Sequence, residues 1–114
     1  MVNKTTYCPN KGDLVWLDFS PSSGHEQSGK RPSLCLSVKE YNERTGLALF
    51  CPCTSVIKGY PYEVQIEGTD QIHGVILADQ IKSFDWKTRN SSFIATLPET
   101  LLLEVLAKLN TLLE

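Results

Sequence analysis

From Gly12 to Trp86 the chain is a succession of short apolar runs of strand period, each ended by glycine, proline or a polar cluster, and helical spacing appears only near the C-terminus. Strand side chains alternate between faces, and short strands cut at regular intervals pack as a small barrel or a strongly curved sheet. Residues 1–11 read as a loose arm ending in a turn at Pro9, Asn10 and Gly12. The first strand, residues 12–19, puts Leu14, Trp16 and Asp18 on one face and Val15, Leu17 and Phe19 on the other. The second, residues 32–39, aligns Leu34, Leu36 and Val38 behind a Pro32 that a first strand position tolerates. Residues 41–46 read as a turn. Residues 47–54 are apolar on both faces until Pro52, as expected of a central strand that bends or ends there and delivers Thr54 and Ser55 to a rim. Further strands follow at 62–67, where Tyr62, Val64 and Ile66 alternate with polar residues, at 73–81, where Val75, Leu77 and Asp79 share a face, and at 84–86. The last element is a helix over 98–113. Thr96-Leu97-Pro98-Glu99 has the form of a reciprocal cap, and Leu102, Val105, Leu106, Leu109, Leu112 and Leu113 make a wide apolar stripe. The expected fold is mainly β with a C-terminal helix, one domain over residues 1–114.

With 114 residues, of which 41% are hydrophobic, such a domain can bury a core without a metal or disulfide staple. A formal charge of −2 does not advertise nucleic-acid binding. The basic residues are nevertheless gathered, with Lys30, Arg31, Lys58, Lys82, Lys87 and Arg89 in or beside proposed loops, while Glu99, Glu104 and Glu114 lie near the C-terminus. No apolar run has bilayer length, and the N-terminus lacks the apolar stretch of an export signal. A cytoplasmic location with reduced cysteines is expected. Cys51-Pro52-Cys53 stands far from Cys8 and Cys35, and the two histidines fall in separate loops. Zinc needs a second spaced ligand pair, so buried, inert thiols and no metal site are expected. His73-Gly74 reads as a strand-opening turn with no further role.

Residues 24–32 read Gly-His-Glu-Gln-Ser-Gly-Lys-Arg-Pro and offer nothing apolar to bury before Pro32. An imidazole, a carboxylate, an amide, an ammonium and a guanidinium stand together between two strands. Loops held by a rigid scaffold are where binding and catalysis tend to sit; a solvated hairpin loop is the alternative. This stretch resembles the GxEQxGxRP signature of the MazF/PemK/Kid toxin family. The likeness continues in order through Gly12-Asp13-Leu14-Val15-Trp16, Pro52-Cys53-Thr54-Ser55, Lys58-Gly59-Tyr60-Pro61 and Ala78-Asp79-Gln80-Ile81-Lys82-Ser83. It is most like the chromosomal MazF branch, and His25-Glu26 also resembles the Kid and ChpB branches.

The resemblance implies an SH3-like, small twisted β-barrel with a C-terminal helix, the fold shared by MazF, Kid and CcdB toxins. It implies a homodimer whose groove binds single-stranded RNA, metal-independent and sequence-selective RNA cleavage without a cofactor, growth arrest, and a cognate MazE-like antitoxin. By motif position Arg31 matches the catalytic arginine, an acid or electrostatic clamp by its chemistry, because its pKa of roughly 12 or more suits a base poorly. Glu26 and His25 are the proton carriers in the same loop. Thr54 and Ser55 match a hydroxyl pair that could bond phosphate or base edges. Asp79 matches a proposed catalytic aspartate, with a structural turn residue as the equal alternative. Gln27, Lys30, Lys58, Gln80, Lys82 and Arg89 would contact RNA, with Trp86 as a stacking platform or, alternatively, a core residue. Two rival functions stay open: a non-catalytic nucleic-acid or peptide module on the same barrel, and a CcdB-like gyrase inhibitor.

Overall fold

The computed structural model describes residues 7–19 and 29–114. Strands β1 (Asp13–Asp18), β2 (Lys30–Cys35) and β3 (Leu47–Thr54) carry apolar side chains on both faces because each face covers a separate core. Leu14 pairs with Leu34, and Leu34 with Cys51. Directly paired residues share a face, so these three join Cys53 in the larger cluster. The intervening Val15, Leu17, Cys35, Ala48 and Phe50 point the other way, into a smaller cluster closed by Phe84 and Trp86. The alternation read for residues 12–19 is therefore the division between two cores.

The remaining strands are β4 (Glu63–Gln65), β5 (Val75–Leu77), β6 (Lys82–Asp85) and β7 (Ser92–Thr96), and the helices are α1 (Lys39–Thr45) and α2 (Glu99–Asn110). Among the described residues seven antiparallel strands run in the order β4-β5-β3-β2-β1-β7, with β6 on β3. β3 is central. β2 lies along one edge, and on the other β6 takes Leu47–Phe50 while β5 takes Cys53 and Thr54. The strand runs on through Pro52 and ends at Thr54. Helix α2 lays Val105 and Leu109 on the larger core, beside Val64, Ile66 and Ile76.

Several local readings need correction, among them the strand read at 73–81, of which only Val75–Leu77 pairs while Asp79 lies in the turn beyond it, and the strand read at 32–39, which ends at Cys35. Residues 41–45 belong to α1 and Gly46 is its left-handed cap, so this is not a bare turn; the seven-residue helix buries only Asn42 and so carries no apolar stripe to read. β2 begins at Lys30, two residues before Pro32, because Lys30 and Arg31 pair with Asp18 and Leu17. Pairing, rather than intrinsic preference, decides such ends. β7 follows a polar Asn90-Ser91-Ser92 lead and is largely exposed, which hid it. The reciprocal cap at Thr96 does not form, since Thr96 is the last residue of β7 and the Pro98 carbonyl starts the helix instead.

Asn42 ties these parts together. It is fully buried, and its amide donates to the carbonyls of Pro9 (2.8 Å) and Ser37 (3.0 Å). Its side-chain oxygen accepts from Ser37 Oγ (2.6 Å), and its carbonyl accepts from Trp86 Nε1 (3.0 Å). A buried polar group with every partner supplied specifies one arrangement; with partners removed it is costly. Asn42→Ala should therefore lose about 3 kcal/mol in urea unfolding, the scale of orphaned buried polar groups, with an unchanged m-value. Gly74 makes a second exacting contact. Its φ is +128°, and a Cβ there would meet the Thr54 carbonyl oxygen at 2.2 Å. Gly74→Ala should cost about 2 kcal/mol or more in the same measurement, because backbone, not a flexible side chain, would have to move.

Candidate functional site

Arg31 projects from the start of β2, exposed, opposite Leu17 of β1. It borders three depressions. The first, about 570 Å³, is walled by Thr54, Val56, Lys58, Tyr60, Glu63 and Gln80 among others. The second, about 510 Å³, runs past Gln80, Lys82, Phe84 and Arg89. The third, about 500 Å³, runs past Trp16, Thr54, Ser55 and His73. Sheet pairing makes this convergence: β2 carries Arg31 beside β3, whose last residue is Thr54, and β5 fixes that end through the Thr54–Val75 pair.

Thr54 Oγ1 accepts the Val56 N–H at 3.1 Å, which leaves the hydroxyl proton free to donate to an anion. The segment after it is held by Glu63. That carboxylate accepts the backbone N–H groups of Lys58 (2.9 Å), Gly59 (3.0 Å) and Tyr60 (3.4 Å). Tyr60 donates its hydroxyl to Asp79 Oδ2. The accepting carboxylate pushes the phenol pKa up, as do desolvation and nearby negative charge, so Tyr60 stays the donor. Tyr60 and Glu63 line the first depression, which the strand pattern does not disclose: by alternation Glu63 is one polar partner in a strand.

Of the expected site residues, Arg31, Thr54, Ser55, Lys58, Gln80, Lys82 and Arg89 come together along these depressions. His25, Glu26 and Gln27 lie outside the described residues. The stem of their segment is visible, because the Phe19 N–H donates to Gly29 at 2.9 Å. Lys30 is exposed beside Arg31 in β2, opposite Asp18. Arg89 is partly committed, donating to the carbonyls of Asp18 (3.1 Å) and Phe19 (3.2 Å) and lying 4.7 Å from the Phe84 ring. Trp86 is no stacking platform. It is 3% exposed in the smaller core, with its indole N–H on Asn42. Asp79 does not line the depressions; its carboxylate accepts the Tyr60 hydroxyl. His73, read as a turn residue, does line the third depression.

The depressions are cationic although the chain is acidic. Arg31, Lys58, Lys82 and Arg89 border the first two, and the one acidic lining residue among those described, Glu63, spends its charge on backbone donors. Such a surface suits a flexible polyanion, with Val56 and Tyr60 as neutral walls beside it. All four cysteines are buried and unpaired with one another. Burial pushes Cys35 up to about 11 and Cys51 up to about 12, which suppresses the nucleophilic thiolate. Among the described residues no group of three His, Cys, Asp or Glu side chains could hold a metal ion. No helix among them is long and apolar enough to cross a membrane.

Comparison with known proteins agrees with this geometry. The family model described as PemK-like, MazF-like toxin of type II toxin-antitoxin system matches residues 10–113. The endoribonuclease toxin MazF of Escherichia coli K12 is 47% identical over 108 residues, covering 94% of this chain and 96% of the relative. A crystal structure of MazF from Deinococcus radiodurans superposes with a TM-score of 0.84 at 48% identity, over 94% of this chain and 97% of that one. A MazE–MazF complex from the same organism matches with a TM-score of 0.84 at 44% identity, over 94% and 96% of the two chains. The chain belongs to the PemK-like, MazF-like toxin family of type II toxin-antitoxin systems.

Proposed function

We propose that this chain is the toxin of a type II toxin-antitoxin module, an endoribonuclease that cuts single-stranded RNA at a phosphate held by Arg31 and Thr54. The observation that carries the reading is the position of Arg31, exposed where three depressions meet, with the Thr54 hydroxyl beside two of them. The names of two relatives, endoribonuclease toxins 47% and 33% identical, support the activity. A strand of RNA could pass from the Lys82 side, across Arg31, to Lys58 or His73, and the scissile phosphate would sit where the guanidinium is.

In the mechanism we propose, the substrate's own 2′-hydroxyl is the nucleophile. It attacks the adjacent phosphorus, the P–O5′ bond breaks, and the products are a 2′,3′-cyclic phosphate and a 5′-hydroxyl. One proton leaves the 2′-oxygen and one must reach the departing 5′-oxygen. Glu26 and His25 are the carriers proposed for these transfers. Arg31 clamps the phosphorane oxygens with its planar fork and can protonate the leaving group, and the Thr54 hydroxyl donates to the same charge. No step requires a metal, so cleavage should persist in excess chelator. Lys30, Ser55, Gln27, Gln80, Lys58 and Lys82 would track the backbone and bases, with Arg89 adding charge from its fixed position.

The reading extends to partners. A MazE–MazF complex among the structural relatives supports a cognate antitoxin, and an acidic segment lying over Arg31 and Lys58 would compete with RNA. The depression on α2 lined by Leu103, Leu106, Ala107 and Leu113, with Leu103 and Leu113 exposed, supports a homodimer. A cytoplasmic location, where mRNA is found, completes the proposal.

Arg31→Ala should lower RNA cleavage at least a hundredfold while circular dichroism and sedimentation stay as in wild type. Removing one preorganised donor to developing charge costs about 3 kcal/mol, whereas an exposed substitution alters stability by only about 0.5 kcal/mol. Arg31→Lys should remain poor, because an ammonium cannot form the bidentate fork. Wild-type activity in a folded Arg31→Ala protein would contradict the reading. Sedimentation at micromolar concentration should give a dimer; a monomer would contradict that part.

A further inference from the structure

Asp79 presents an unusual arrangement. One carboxylate oxygen accepts the Tyr60 hydroxyl, and the other is buried without a partner among the described residues. Asp79 follows the buried Ala78 at the end of β5, in a turn closed by the Gln80 N–H on the Leu77 carbonyl (3.1 Å). Tyr60 lies in the segment between β3 and β4. Their bond therefore bridges the two segments that flank the first depression, one supplying Lys58 and Tyr60 and the other Gln80.

Across that segment, Glu63 takes three successive backbone N–H groups. Two carboxylates thus hold one short stretch, Glu63 by its backbone and Asp79 by its side chain. The stretch needs such anchors. Val56 and Ile57 are 60% and 59% exposed, so little core burial fixes it. Glu63 spends its charge on three backbone donors, and Asp79 turns one oxygen to Tyr60 while the other is buried, so neither carboxylate lines the cleft as a free anion.

We propose that Asp79 is a positioning residue that acts through Tyr60, fixing the Lys58–Tyr60 wall of the RNA cleft, and that it carries no proton in the reaction. This rests on the endoribonuclease reading above and deepens it. Asp79 needs only an acceptor oxygen to do this work, and an asparagine carbonyl offers one. A proton carrier cannot be replaced in that way.

Cleavage kinetics on a short single-stranded RNA, paired with ultraviolet titration of the Tyr60 phenol using Tyr60→Phe as the blank, separate the two roles. Asp79→Ala and Tyr60→Phe should each raise KM about tenfold, the size of one lost hydrogen bond, with kcat changed less than about twofold. Asp79→Asn should restore KM. In the titration Tyr60 should ionise above an ordinary tyrosine in the wild type and fall back towards it in Asp79→Ala. A hundredfold loss of kcat in Asp79→Asn at unchanged KM would overturn the positioning role and make Asp79 catalytic. An ordinary Tyr60 titration in the wild type would overturn the tether. Absence of RNA cleavage by the wild type, with the tether intact by titration, would overturn the endoribonuclease reading and this role with it. Amide exchange at Lys58–Tyr60 should rise in Glu63→Gln, whose amide offers one acceptor oxygen where the carboxylate offers two; unchanged exchange would overturn the second anchor.

Discussion

The structure depends on β3, which buries Ala48 and Phe50 on one face and Cys51 and Cys53 on the other. Each pair belongs to its own core, so the strand cannot slip by one residue without exchanging the two sets. Burying a side chain such as Phe50 stabilises by roughly 1.5–3 kcal/mol, whereas a surface ion pair contributes ~0–1 kcal/mol. Packing about β3, not charge, therefore decides the register. The site inherits that register: Thr54 is the last residue of β3, and Arg31 reaches it along the paired β2. Asn42 secures the distant end through Pro9, Ser37 and Trp86, and it does so without touching the cleft.

The cleft itself is an electrostatic construction on a chain of net charge −2. Arg31, Lys58, Lys82 and Arg89 face the depressions, and the nearby carboxylates are turned to internal donors. Glu63 and Asp79 thereby brace the segment from Lys58 to Tyr60. Lys82 and Arg89 also lie against the Phe84 ring, at 5.7 and 4.7 Å, so one aromatic side chain closes the smaller core and supports cations at the surface. Scaffold and site share residues here, which is why a change in overall charge would say little about affinity for a polyanion.

Much of this was legible in the residues. Two-faced strands at 12–19 and 47–54, a terminal amphipathic helix and four inert thiols follow from periodicity and spacing, and all four appear in the fold. Arg31 and Thr54, which ordered motifs single out, line the same two depressions. What escaped notice depends on contacts distant in sequence. A seven-residue helix holding one buried asparagine has no stripe, and β7 is a strand because it pairs with β1. Thr96 matches a capping pattern yet ends a strand. Trp86 could stack or be buried by composition alone, and only the neighbourhood of Phe50 and Asn42 decides for burial. The tether from Asp79 to Tyr60 spans 19 residues, beyond the reach of local pattern.

The central claim, that the substrate's own hydroxyl performs the cleavage at a phosphate held by Arg31, is tested most directly on an RNA with one modified nucleotide. After the cut site is mapped, the 2′-hydroxyl immediately 5′ to the scissile phosphate is replaced by hydrogen, and the ends of the products are analysed. The account predicts that the modified strand binds but is not cut, and that the unmodified strand yields a 2′,3′-cyclic phosphate and a 5′-hydroxyl. Cutting of the modified strand at an undiminished rate, or a 5′-phosphate product, would contradict it, because the attacking oxygen would then come from water.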